Sequence, residues 1–213
     1  MIIATSTITR TFGIVAPMLT ILQCLAQANR IRTTGAKGVS LATWILSAFV
    51  SQIWFCYGII FHVTAELVAN VPAITVSLIV AFLAAQSQEK MARSVIGYLT
   101  VTVITVLATF AGSFHDLRWV LATVAVGSSI IISLPQLALV IRPKDLSGVS
   151  IISWCLACLT SLGWLVYGFL IHQPPLAIPS FVMLPSAFII FVQASRHRIQ
   201  NNSRTGLQAP LVE

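Results

Sequence analysis

Two tryptophans, Trp54 and Trp164, stand 110 residues apart in a chain of 213, each inside a long apolar run. Their indole rings offer flat apolar plates for non-covalent contact. A ligand ring with apolar faces and a polar rim is matched by aromatic plates on either side. Asn70, in the apolar run that follows Trp54, could meet such a rim, because one amide supplies both a donor and an acceptor. Structural readings stand beside these: tryptophans anchor helices at membrane interfaces, and an asparagine can tie helices together.

Little else in the chain offers chemistry. The acids are Glu66, Glu89, Asp116, Asp145 and Glu213, all at the ends of apolar runs or between them. Proton-coupled carriers usually hold a titrating group within a span, so facilitated diffusion is the expectation. Glu66 is the acid to weigh, since it stands one helical turn before Asn70 on the same face. It also reads as a solvated acid at a helix start, favoured there by the dipole. Cys24, Cys56, Cys155 and Cys158 fall in apolar runs and read as packing residues, and no zinc ligand set forms around them. His62 and His172 read as solvated interface residues. With no nucleophile, base and oxyanion set, phosphate loop or nucleotide fingerprint, an enzyme is not expected, nor any cofactor or metal.

The tryptophans belong to a longer repeat. Residues 38–62, GVSLATWILSAFVSQIWFCYGIIFH, lie without a gap over residues 148–172, GVSIISWCLACLTSLGWLVYGFLIH, with ten identities. Shared apolar composition would not align two tryptophans, a Tyr-Gly pair and a Gly-Val-Ser start together. The chain is an internal duplication.

The elements that carry these residues must be membrane helices. Hydrophobic residues make up 57% and charged residues 8% of the chain, and the mean hydropathy is +0.95. A water-soluble domain could not hide so much apolar surface. Seven apolar spans are expected, at 11–29, 39–61, 67–86, 94–112, 119–141, 149–171 and 176–194, each long enough to cross a bilayer core. The runs lack the alternation a barrel needs, and helices satisfy their own backbone polar groups. Arg30, Arg32, Lys37, Lys90, Arg93, Arg142, Lys144, Arg196, Arg198 and Arg204 fall on one side of this arrangement, against only Arg10 and Arg118 opposite. Retention of basic residues in the cytoplasm then puts the N terminus outside and the C terminus inside. The net charge of +7 is explained by topology, and no nucleic acid is expected as a partner.

An offset of 110 residues holds four helices, so the two three-helix units run in the same direction and the fourth span makes this possible. The expected fold is an all-α membrane protein of seven helices in a 3+1+3 arrangement. Residues 10–87 form the first unit, 94–112 the linker helix, 119–195 the second unit and 196–213 a cytoplasmic tail.

With Ser-Leu-Pro-Gln at 133–136 and Trp-x-x-Tyr-Gly in each second helix, the chain resembles the SWEET sugar-transporter branch of the PQ-loop superfamily over about residues 10–195. The resemblance implies a central sugar site lined by a tryptophan on each second helix and an asparagine sixteen residues later on each third. Trp54 with Asn70 fit that spacing, as does Trp164, but Ser180 stands where the second asparagine would be. A serine keeps a hydroxyl and loses the amide's paired donor and acceptor. The family's prolines near the start of the second helix are replaced by Leu41, Ala42, Ile151 and Ile152, so a symmetric proline hinge is not expected. Pro17 and Pro135 remain as hinge candidates that can kink their spans, and Pro72, Pro179 and Pro185 can bend the third helices.

On the second helices, Trp44, Ser47, Ser51, Trp54 and Gly58 recur at steps of three and four, matched by Trp154, Ala157, Ser161, Trp164 and Gly168. The spacing gathers each set on one face, as a lining stripe or as a seam of small residues between packed helices. The resulting expectation is a sugar uniporter working by alternating access in the plasma membrane, with sugar, surrounding lipid and a second copy in a homo-oligomer as partners. A proton-coupled amino-acid carrier of the same superfamily and a seven-helix sorting receptor are the alternatives.

Overall fold

The computed structural model describes residues 2–36, 39–87, 118–132, 134–141 and 146–207, with isolated positions between 96 and 107. The expected linker helix at 94–112, and with it Lys37, Lys90, Arg93, Arg142 and Lys144, lies wholly or largely outside the described residues. Among the described residues all regular structure is helical: α1 (Ile2–Thr34), α2 (Leu41–Ile60), α3 (Thr64–Ser87), α4 (Arg118–Ile131), α5 (Leu134–Ile141), α6 (Ile151–Leu170), α7 (Pro174–Ala177) and α8 (Ser180–Leu207). Six stretches of helix are long and apolar enough to cross a bilayer, with α4 and α5 together forming one and α7 with α8 another. Ile14, Phe82, Ile152 and Phe188 are exposed on the outside of the bundle, an apolar exterior suited to lipid. The protein is an all-α integral membrane protein.

The third helix of each unit lies between the other two: α3 packs on both α1 and α2, and α8 on both α5 and α6. The units meet through α1 against α6 and through α4 and α5 against α2. Each first helix thus packs on the second helix of the other unit.

The repeated residues build the same local structures twice. Ser40 and Ser150 cap their helices, accepting from Thr43 N at 3.2 Å and Ser153 N at 3.1 Å; the Gly-Val-Ser motif is a helix start. At the other end, Val63 N donates to Gly58 O and Gln173 N to Gly168 O, both at 2.9 Å. These six-residue closures put His62 and His172 in the left-handed region, at φ 55° and 54°. Both histidines are exposed turn residues, as their position in the repeat implied. The Tyr-Gly glycines serve close approach: a Cβ on Gly58 would stand 2.9 Å from Glu66 Cβ, and one on Gly168 would stand 2.8 Å from Ala177 N.

Three differences from the sequence reading have physical causes. The first helix runs well past 11–29, because the flanking residues on both sides keep the helical ladder. The fifth span is broken between α4 and α5, just ahead of Pro135, which cannot donate to the ladder. The expected tail from 196 continues the helix to Leu207.

Candidate functional site

Between the units lies a cavity of about 160 Å³. A single buried water needs only about 10–15 Å³ on a comparable measure, so this space suits a small molecule rather than an ion. Trp54, Asn70, Trp164 and Ser180 all line it, together with Ser51, Ser161 and Glu66. The two tryptophans, from equivalent places in the two units, are brought to one space.

Each indole is held by the opposite unit. Trp54 Nε1 donates to Ser129 Oγ at 2.7 Å, and Trp164 Nε1 donates to Thr20 Oγ1 at 3.2 Å. Both hydroxyls in turn donate one turn back along their own helices, Ser129 to Ala125 O and Thr20 to Ala16 O. Neither Thr20 nor Ser129 was singled out from the sequence. The signal was there at an offset of 109, one less than that of the second helices, which aligns Ala16 with Ala125, Thr20 with Ser129 and Gln27 with Gln136.

The glutamines reach across to the starts of the opposite unit's second helices. Gln27 Nε2 donates to Gly148 O and its Oε1 accepts from Ser150 N, both at 2.9 Å, while Gln136 Oε1 accepts from Ser40 N at 2.8 Å. Each is 1% exposed. The Gln of the Pro-Gln pair is therefore a clamp on the opposite unit's helix start, and Gln27 performs this role without a proline before it. Of the two hinge candidates, Pro135 adjoins a break in its helix, whereas Pro17 lies inside the continuous α1.

The stripe on the second helices both lines and packs. Trp44, Ser47, Ser51 and Trp54 face the cavity, as do Trp154, Ala157, Ser161 and Trp164. Ser47 also accepts a hydrogen bond from Ser77 Oγ, which ties α2 to α3. Thr43 and Thr160 add two cavity-lining hydroxyls whose oxygens have no protein partner. Thr160, one turn before Trp164, places a hydroxyl within the same helical face as that ring.

The two ends of the cavity differ. Beyond Trp54, residues of both units join in one apolar cluster, with Ile53, Tyr57, Leu121, Ala125 and Leu176 in it and Trp164 and Tyr167 against it. Tyr57 OH donates across the units to Gln173 Oε1 at 2.8 Å, and the Tyr57 ring stacks on Phe61 at 4.3 Å. Near Trp44 and Trp154 the units keep separate clusters. The Tyr57 end is thus sealed by shared packing, while the cavity reaches between the units toward the Trp44 and Trp154 end.

Glu66 departs from the solvated helix-start reading. It is 4% exposed, wedged where Gly58 admits it, and bound by Asn70. Asn70 Nδ2 donates to Glu66 O at 2.7 Å and to Glu66 Oε2 at 2.5 Å. At Ser180 the situation differs: the residue matching Glu66 in the second unit is Leu176, which has no carboxylate for an amide to meet.

No protein-family model and no curated protein matches the chain. The geometry stands on its own. The four cysteines form no disulfide, with Cys24 and Cys56 buried, and among the described residues no group of His, Cys, Asp and Glu could hold a metal.

Proposed function

We propose that the protein is a facilitative transporter of a small neutral sugar, working by alternating access through the cavity between two parallel three-helix units. In this reading residues 94–112 are the linker of a seven-helix 3+1+3 arrangement, and the chain resembles the SWEET branch of the PQ-loop superfamily. The observation that carries it is the meeting of Trp54 and Trp164 in one cavity, with Asn70 and Ser180 beside them. Two aromatic walls supply contact to the C–H faces of a ring, and the amide, serine and threonine groups can meet its hydroxyls. The sealed Tyr57 end and the separate clusters at the other end fit one state of a cycle in which either end opens in turn. The basic-residue asymmetry supports a Tyr57 end that faces outside and a Trp44 end that faces the cytoplasm, in a protein of the plasma membrane.

Purified protein in proteoliposomes should take up labelled glucose or a similar monosaccharide until inside and outside concentrations are equal. Labelled amino acids should not enter. A protein that moves no monosaccharide contradicts the reading. The burial of Glu66 favours one second reading, a proton-coupled amino-acid carrier, for which an acid-outside gradient in the same liposomes should drive accumulation.

A further inference from the structure

The cavity holds one acid and no base. Among the described residues that line it, Glu66 alone carries a formal charge, and no Lys, Arg or His joins it. The other titratable groups around it are uncharged at neutral pH: Tyr57 on α2 and Tyr167 on α6 lie within electrostatic reach, and Cys24 on α1 lines the same space. A carboxylate so placed in a membrane protein is costly unless a cation meets it.

Packing does not explain its presence. Leu176, its counterpart in the second unit, fills the equivalent position, is buried to the same degree and lines the same cavity. The fold therefore accepts an aliphatic side chain there, and the acid is an addition to one unit only.

The polar groups near it are spent in a particular way. Asn70 directs its amide nitrogen at Glu66, which leaves its carbonyl oxygen as the group available to a ligand. Both indole N–H groups are engaged by Ser129 and Thr20. Near Glu66 the cavity is thus rich in acceptors, and it is walled by Trp44, Trp54, Trp154 and Trp164. An ammonium group offers three donors and a positive charge, and aromatic faces attract such a charge.

We infer that the cavity binds a hydroxylated ring bearing one protonated amine, an amino sugar, with Glu66 as the counter-ion of the ammonium group. This rests on the sugar-transport reading and extends it from a neutral sugar to one that carries a single positive charge. A neutral sugar is compatible with the same cavity when Glu66 is protonated; an amino sugar replaces that proton with an ion pair, and the loaded site is neutral in both cases.

Four cavity tryptophans make binding visible by intrinsic fluorescence. Purified wild-type protein titrated with glucosamine and with glucose, at neutral pH, where most of the amine is protonated and Glu66 can give up its proton to the solution, should bind glucosamine at least about tenfold more tightly, as a hydrogen bond to a charged partner implies. The ratio should fall to about one in Glu66→Gln and in Glu66→Leu. The second variant copies the residue the fold already holds at the equivalent place. Equal affinities in the wild type overturn the inference, as does a preference that survives both substitutions. Equal affinities with glucose still bound leave the transport reading standing, whereas a protein that neither binds nor moves either sugar rejects both.

Discussion

Trp54→Ala and Trp164→Ala each reduce monosaccharide uptake by about tenfold to a hundredfold, in protein that still reaches the membrane folded. Each change removes one aromatic wall, and the loss of buried contact, about 1.5–3 kcal/mol for a large side chain, corresponds to that range. Because the rings come from equivalent positions and line one space, the two losses should be alike. Trp54→Phe separates the ring from its N–H. It keeps an apolar plate and loses the bond to Ser129, so it should retain much of the uptake while lowering thermal stability in detergent. If both alanine variants carry sugar normally, the cavity is not the route.

Gln27→Leu and Gln136→Leu should be the most destabilising polar substitutions in the protein. Gln27 meets both Gly148 O and Ser150 N, and a leucine of similar size would bury those groups without partners. Each stranded group costs about 1–3 kcal/mol. Gln136→Leu strands Ser40 N and loosens the other helix start. The two sites lie on separate contacts between the units, so the losses should add in the double variant. Thermal unfolding in detergent, followed by tryptophan fluorescence, reads this directly; unchanged melting in either single variant would mean that the clamp contributes nothing.

Much of this was legible in the sequence because the duplication repeats chemistry as well as hydropathy. The Gly-Val-Ser, Trp-x-x-Tyr-Gly and His positions mark the start, wall, close crossing and end of one helix, and they recur because both units build the same helix. Trp54 and Trp164 could be paired from the offset alone. What the offset hid were contacts between units, since Thr20 and Ser129 follow a spacing one residue shorter and lie in a different helix from the rings they hold. Gln27 is legible as the counterpart of Gln136, with Ala26 where the second unit has Pro135, but its role is not, because the clamp needs only the amide and a partner in the other unit.

Glu66 shows the limit of a one-dimensional reading. Its place at a helix start suggests a solvated acid. Its burial depends on Gly58 in the preceding helix, whose missing side chain lets α3 cross within contact distance. The prolines at 17 and 135 were both visible as kink candidates, but Pro17 lies inside an unbroken α1, so a proline in the sequence does not by itself place a break.

The claim of a single central site exposed to each side in turn is tested most directly by counterflow. Proteoliposomes loaded with unlabelled glucose and diluted into a trace of labelled glucose should take up label transiently above its equilibrium level, because one site returning loaded exchanges one sugar for the other. Uptake that rises only to equilibrium and is unaffected by internal glucose would indicate an open pore, and no uptake would indicate a protein that binds without moving; either result contradicts the account.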